Sequence, residues 1–233
     1  MTTDYFAGAV AERYDGGDHS SMEAVVPVVD FLEPLGAQGA LELAIGTGRI
    51  ALPLAARGVR VHGIDLSPDM VAQLRAKPGG AELPVAIGDM TTTRVVGSFS
   101  LVYLVFNTIG NLTSQDAQVA CFENAAAHLV PGGAFVVELE VPPVQRLSVF
   151  HLGDTHAGID EYDAETQRLV SHHFSLVDGA WERRSIPFRT ASPAELDLMA
   201  RNAGLRLAER WAGWSREPFT AASPSHVSVW VKE

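Results

Sequence analysis

Apolar residues fall at helical spacing in SSMEAVVPVVDFLEPLG, where Ala24, Val25, Val28, Phe31, Leu32 and Leu35 form one face. Ser20 and Glu23 ahead of it read as a capping box. Short apolar runs and helical patterns then alternate. ALELAI reads as a strand, RIALPLAARG as a helix stopped by Gly58, and VRVHGIDL as a second strand. In SPDMVAQLRAK, Ser67 is the expected N-cap, Pro68 the first helical residue and Asp69 part of the first turn. LPVAIGD is a short third strand, and FSLVYLVFN is apolar enough for a central strand covered on both faces. DAQVACFENAAAHLVPGG reads as helix then stop, and AFVVELE as a fifth strand.

Five strands joined by crossovers predict a parallel sheet with helices on both faces, hence an α/β fold. Past Glu140 the rhythm changes. Residues 142–190 hold no long helical pattern, and RLVSHHFSLVD and AWERRSIPFR, split by Gly179, predict a small antiparallel hairpin or lid inserted into the fold. SPAELDLMARNAG then restores a helix, with Ser192 as cap, Pro193 first, Glu195 closing the box and Gly204 at the end. LRLAERW and HVSVWVK have no helix between them and should pair antiparallel. The expectation is one domain over 1–233, with a helical cover at 1–36 and the insertion at 142–190.

Composition narrows the partners. The 233 residues carry 28 acidic against 17 basic side chains, a formal charge of −11, and no basic run longer than Arg183-Arg184. That opposes nucleic acid or an anionic membrane as main partner, since both need clustered Lys and Arg. The one cysteine, Cys121, excludes an internal disulfide and fits a reducing compartment; its helical setting reads as a buried thiol. The start MTTDYFAGAV lacks the basic-then-apolar form of a signal peptide, and no apolar stretch has membrane-spanning length, so a cytoplasmic protein is expected.

The chemistry centres on LELAIGTGRIA. Gly46-Thr47-Gly48-Arg49-Ile50-Ala51 fits the dinucleotide pattern G-x-G-x-x-A, and Asp65 at the end of the second strand could hold a ribose. Glu42 argues against paired phosphates. A like-charge pair at ~5 Å and an effective dielectric near 20 costs about 3 kcal/mol, whereas an ammonium or sulfonium would gain. The alternative is a carboxylate that only caps backbone. Asp89 after the third strand could accept from an adenine amino group with Met90 against the ring, or could simply cap a turn. A dehydrogenase would also need a second half-sheet or catalytic domain, and only the insertion and an antiparallel pair remain.

Taken in order, LELAIGTGR, VHGIDLSPDMV, VAIGDM, FSLVYLVFNTIGNL and LVPGGAFVVE resemble the class I S-adenosylmethionine-dependent methyltransferases over nearly the whole chain. Within them the chain loosely resembles bacterial small-molecule enzymes, including amino-sugar N-methyltransferases. The resemblance implies a Rossmann-like doubly wound sheet of seven strands with the last antiparallel, and S-adenosylmethionine as cofactor. It implies that Ala44, Gly46 and Gly48 bring backbone to the methionyl part and that Glu42 reaches its amino group. Asp65 would take the ribose hydroxyls, Leu66 and Met70 would pack on the adenine, and Asp89 and Met90 would read its edge. Phe106 and Asn107 would close the site. Ser100 departs from the acidic residue many relatives carry there, at a strand start remote from the ligand.

On the acceptor side, methyl transfer can run on alignment alone, worth up to ~7–11 kcal/mol, with a general base adding about 10²–10⁴-fold. AERYDGGDHSS could fold over the cofactor, with Tyr14 on its carboxylate end and His19 at the entrance; Tyr14 could equally be a packing aromatic. His172 and His173 alternate across a strand, so one, His173 by choice, could reach the pocket as a base, and both could be surface residues. Arg189 could bind an acceptor carboxylate or pair with an acid. His151 and His156 have no partner at metal-ligand spacing, so no metal is expected. FNTI lacks the Asn/Asp-Pro-Pro-aromatic signature of planar-nitrogen methylation, which again speaks against nucleic acid. The expected activity is methyl transfer to nitrogen or oxygen of a small molecule, with the insertion forming much of the acceptor pocket and a homodimer left open. The rivals are a non-catalytic binder of the same cofactor or partner subunit, and an NAD-dependent oxidoreductase.

Overall fold

FSLVYLVFN becomes β4 (Phe99–Leu104), at the centre of a seven-stranded sheet in the computed structural model, which describes residues 4–16 and 18–233. β1 (Ala40–Leu43) and β5 (Leu129–Glu140) flank it in parallel, and β2 (Val61–Asp65) and β3 (Val85–Ile87) continue beyond β1. On the other side β11 (Ser225–Lys232) runs antiparallel to both β5 and β10 (Leu205–Trp211), giving the order β10-β11-β5-β4-β1-β2-β3. A strand that returns without a crossover can only pair antiparallel, so the missing helix sets this edge.

Side chains alternate across the sheet and feed two cores. Leu41, Leu43, Val102 and Leu104 meet Phe122 of α5 (Gln115–His128) and Leu196 of α6 (Pro193–Asn202). Ala40, Leu101 and Tyr103 share the opposite core with α2 (Met22–Leu32) and α3 (Ala51–Ala56). Ser67 and Ser192 cap α4 (Pro68–Arg75) and α6 as expected, accepting from the N–H groups of Met70 and Glu195. The cap of α2 is Ser21 rather than Ser20: Ser21 is extended and its hydroxyl accepts from Ala24 N–H, while Ser20 is spent in a preceding 3₁₀ turn. The LVPGG segment joins β5 instead of ending α5, because Ser114 starts the helix earlier and Leu129 already turns extended. Cys121 is fully buried on α5, and burial pushes its thiol well up.

The insertion is larger than a hairpin. β6 (Leu147–Leu152), β7 (His156–Asp163), β8 (Arg168–Val177) and β9 (Ala180–Arg189) form a separate antiparallel sheet in that order. Asp178 and Gly179, both at positive φ (49° and 80°), make the tight β8–β9 turn that strand twist favours. Pro187 is tolerated because β9 is an edge strand. One face, bearing Ser171 and Ile186, is buried; on the opposite face Leu147, Val149, Leu152, Leu176 and Trp181 stand exposed.

Arg189 ties the insertion to the main body. Only 6 % exposed, it donates to Gln118 of α5 (2.5 Å), to Gln167 (2.5 Å) and to Glu195 of α6 (2.7 Å). Of its two expected roles, pairing with an acid is the one it fills here. No helix among the described residues is long and apolar enough to cross a membrane.

Candidate active site

The C-terminal ends of β1, β2, β3 and β4 open onto one cleft, roofed by the N-terminal segment that contains α1 (Ala9–Arg13). After β1 the chain turns sharply: Ala44, Gly46 and Gly48 all have positive φ (61°, 57° and 77°). A Cβ at Gly46 would stand 3.2 Å from Met70 Cε, and one at Gly48 only 2.3 Å from Leu74 Cδ1. Gly46 therefore shows bare backbone to the cleft, while Gly48 lets the turn settle on α4.

Asp65 braces that turn. Gly46 N–H donates to its Oδ2 (2.6 Å) and Ser67 N–H to its Oδ1 (2.8 Å). A carboxylate oxygen accepts two bonds, so each keeps capacity for a ligand hydroxyl. Burial raises the Asp65 pKa, against the pull of these two N–H groups.

Glu42, 3 % exposed, lines the same cleft. Tyr103 O–H donates to its Oε2 at 3.0 Å. Burial raises its pKa to about 8, with the Tyr103 bond, Arg49 and the Ala51 N–H working the other way and Asp65 adding to the rise. Asp89 follows β3, and Thr91 donates to its Oδ1 through both N–H (2.8 Å) and Oγ1 (2.7 Å). Leu66, Met70 and Met90 supply the apolar wall beside it.

An aromatic column closes the other end. His19 stacks on Phe106 (4.9 Å), Tyr14 meets His19 edge-on (5.0 Å), and Phe6 meets Tyr14 (6.1 Å). Arg49 lies 5.2 Å from the Phe106 ring centre and donates to His19 O. Burial raises the Tyr14 pKa, so the phenol keeps its proton at neutral pH. Outside the column, Thr47 O–H donates to Asp15 (2.7 Å) and Gly8 N–H to Asp69 (2.7 Å), which fasten the roof.

The chain leaves β4 through two consecutive left-handed residues, Phe106 (φ 55°) and Asn107 (φ 60°). Such conformations cost on the order of 1–3 kcal/mol each and need outside support. β5 supplies it. Phe106 N–H donates to Glu138 Oε2 (2.6 Å), Asn107 Nδ2 to Glu140 Oε1 (3.0 Å), and Glu140 N–H to Asn107 Oδ1 (2.7 Å).

Among the expected site residues, Tyr14, Glu42, Ala44, Gly46, Asp65, Leu66, Met70, Asp89, Met90 and Phe106 come together around the cleft. Three others sit differently. Gly48 is under the turn, Asn107 faces Glu140, and His19 backs Phe106. His173 lies on β8 beside His156 (3.3 Å between ring nitrogens), outside the lining of this cleft, with its pKa drawn down to about 4 by burial, Arg184 and its histidine neighbours. No residue of the insertion lines this donor cleft; Arg189 O and Phe188 lie against the turn at Gly110, and the Arg189 side chain bonds to α5 and α6. Asp4, Tyr5, Phe6, Arg49, Thr108 and Asn111 line the cleft without having been singled out for it. Arg49 lay in the glycine pattern itself, where a cation beside Glu42 was the missed signal. No group of three or more His, Cys, Asp or Glu among the described residues could hold a metal ion.

Four carboxyl groups, Asp4, Glu42, Asp65 and Asp89, face the cleft against one guanidinium, Arg49. That set, with bare backbone at Gly46 and an apolar wall near Asp89, fits an adenosine bearing a cationic arm and would repel paired phosphates.

Comparison with known proteins agrees. The family described as a methyltransferase domain matches residues 40–133. The dTDP-3-amino-3,6-dideoxy-alpha-D-glucopyranose N,N-dimethyltransferase of Streptomyces fradiae is 32 % identical over 81 % of this chain and 73 % of its own length. The cypemycin N-terminal methyltransferase of a Streptomyces species is 29 % identical, covering 88 % and 87 %. Among solved structures, the CcbJ methyltransferase of Streptomyces caelestis superposes with a TM-score of 0.84, at 36 % identity and 96 % coverage of each chain.

Proposed function

The chain belongs to the class I S-adenosylmethionine-dependent methyltransferases, and from that premise we propose that it methylates the amine nitrogen of a small, amino-sugar-like acceptor. S-adenosylmethionine is its methyl donor, which rules out the NAD-dependent reading. Two of the relatives above are named for N-methylation, one of an amino sugar and one of a peptide N-terminus. The observation that carries the nitrogen reading is the 32 % identity, over 81 % of this chain, to a relative named as an amino-sugar N,N-dimethyltransferase.

When bound, the donor supplies an electrophilic methyl on a sulfonium. The chain's part is to align, shield and hold charge. Asp65 would take the ribose hydroxyls, with its carboxylate already fixed by Gly46 and Ser67 N–H. Leu66, Met70 and Met90 would hold the adenine, and Asp89 its amino edge. Glu42 would receive the ammonium of the amino-acid arm, while Arg49 and the protonated Tyr14 phenol hold its carboxylate. Phe106, backed by His19, would shut out water where the acceptor enters. An amine that has shed its proton is nucleophilic enough for alignment to suffice, so His19 acts here by fixing Phe106. His173 has no catalytic part in this reading.

The test is a panel of amino sugars and their hydroxyl counterparts incubated with S-adenosylmethionine and read by mass spectrometry. Gain of one or two methyl groups only on amines is expected. Methylation confined to hydroxyls would overturn the nitrogen assignment, and no demethylated donor with any acceptor would favour the non-catalytic alternative.

We further propose that the open face of the insertion sheet seats a second copy of this chain. Four strands about 4.8 Å apart and roughly eight residues long present about 500 Å² per copy, so a two-fold pair buries about 1000 Å² before side chains are counted, at the threshold for a stable interface. Leu147, Val149, Leu152, Leu176 and Trp181 give it the apolar centre such an interface needs. Light scattering should give twice the chain mass for the wild type and a monomer for Val149→Asp/Trp181→Glu. A monomeric wild type, or a dimeric double variant, would refute it. A cytoplasmic setting goes with the free, buried Cys121.

A further inference from the structure

Tyr103 is completely buried near the C-terminal end of β4, directly opposite Glu42 in the β1–β4 register. Its neighbours in that core are apolar: Val25, Phe31, Leu101, Val136 and Val229 belong to the same cluster. A phenylalanine would satisfy such a position without burying a hydroxyl, and the hydroxyl makes one hydrogen bond, to Glu42 Oε2. The phenol therefore serves the carboxylate and not the core.

Resting on the methyl-donor reading above, we propose that Tyr103 is a positioning residue for the donor. It pins one oxygen of Glu42 so that the carboxyl group meets the donor's ammonium in its ionised form, and donor binding thereby expels the Glu42 proton. Tyr103 never touches the ligand in this arrangement; it acts through Glu42.

The surroundings of Glu42 decide the sign. Burial disfavours its charge most, and Asp65 on β2 adds to that. Tyr103 on β4, Arg49 on the glycine turn and Ala51 N–H on α3 favour the charge. Tyr14, from the roof, stays protonated and contributes no charge of its own. Arg49 is shared with Phe106 and His19 O, so the bonds directed at Glu42 are those from the Tyr103 hydroxyl and Ala51 N–H, of which Tyr103 is the side chain. In the free protein the balance leaves Glu42 largely protonated at neutral pH, since its pKa stands at about 8. A cation arriving beside it favours the ionised form, so the proton leaves to solvent as the ligand binds.

Titration calorimetry between pH 6 and 9.5 tests this with S-adenosylmethionine, S-adenosylhomocysteine and 5′-methylthioadenosine, which lacks the amino-acid arm. Wild-type affinity for the first two should rise with pH until the ligand's own amine, with a pKa of about 8, deprotonates; 5′-methylthioadenosine should show no such rise. Heats measured in two buffers of different ionisation enthalpy should report net proton release at pH 7. In Tyr103→Phe the rising limb should move up by about one to two pH units, the scale of a hydrogen bond to a charged group. Affinity for both amino-acid ligands should then fall about tenfold or more at pH 7, with 5′-methylthioadenosine unchanged within about twofold. In Glu42→Gln the rising limb should vanish.

A Tyr103→Phe limb superimposable on the wild type would overturn the proposal. So would a loss equal at every pH and equal for all three ligands, which is what a packing role alone would give, or a rising limb that survives in Glu42→Gln. Wild-type protein that binds none of the three at any pH would instead overturn the donor reading on which this rests.

Discussion

Asp65→Ala should bind S-adenosylmethionine about 10- to 150-fold more weakly than the wild type while remaining folded, because a charged hydrogen bond contributes about 1.5–3 kcal/mol. The carboxylate would serve ligand and protein together, since its two oxygens already accept from Gly46 and Ser67. Losing it frees two N–H groups, but they border an open cleft where water can take them. The stability loss should therefore be about 1 kcal/mol, or a shift of roughly 2–4 °C in Tm. Calorimetry and a thermal melt on the same sample separate the two effects. Unchanged affinity in a folded variant would remove Asp65 from the ribose.

Arg189→Ala should show the converse pattern, with a large loss of stability and intact donor affinity below the transition. Removing one partner of a buried ion pair typically costs about 3–5 kcal/mol, because the abandoned charge stays buried. For a chain of this size that corresponds to a Tm drop of about 6–20 °C. Lysine should not rescue it: one fork serves Gln118, Gln167 and Glu195, which a point charge on a flexible stem cannot match. The same knot makes the wild type acid-sensitive. Burial opposes ionisation of Glu195, but bonds from Arg189, Gln167 and Gln115 outweigh it and hold the pKa below its ordinary value. A depressed carboxyl stabilises the fold above the unfolded pKa near 4.5 and loses that contribution as pH falls through the folded value. A melt between pH 3 and 7 should show the loss in wild type and less of it in Arg189→Ala.

The central sheet was legible in the chain because each of its features is local. A short, β-branched and aromatic apolar run bounded by turn signals reads as a covered strand, Ser-Pro starts α4 and α6, and the lack of a helix between residues 211 and 225 sets the antiparallel edge. The carboxylates were legible for the same reason: Glu42, Asp65 and Asp89 sit within two residues of a strand's C-terminal end, where a parallel sheet presents its ligands. The insertion was half legible. Gly179 announced the β8–β9 turn, but LSVFHL and HAGIDEYD mix His, Gly and acids, and their pairing depends on contacts with β8 that no short window contains. The roof was half legible: AERYDGGDHSS was read as a cover, but Asp4, Tyr5 and Phe6 have no periodic pattern and owe their place to long-range ties such as Gly8 to Asp69. Arg189 was left with two roles because its partners lie 71, 22 and 6 residues away.

Cys121, sealed against β4 and β5 with no accessible surface, gives the molecule a built-in stopwatch. A thiol reagent can reach it only when α5 lifts from the sheet, so the rate of labelling counts those openings in unmodified protein. Because Arg189 grips Gln118 three residues earlier on the same helix, loosening that grip should make the stopwatch run fast, long before the protein melts.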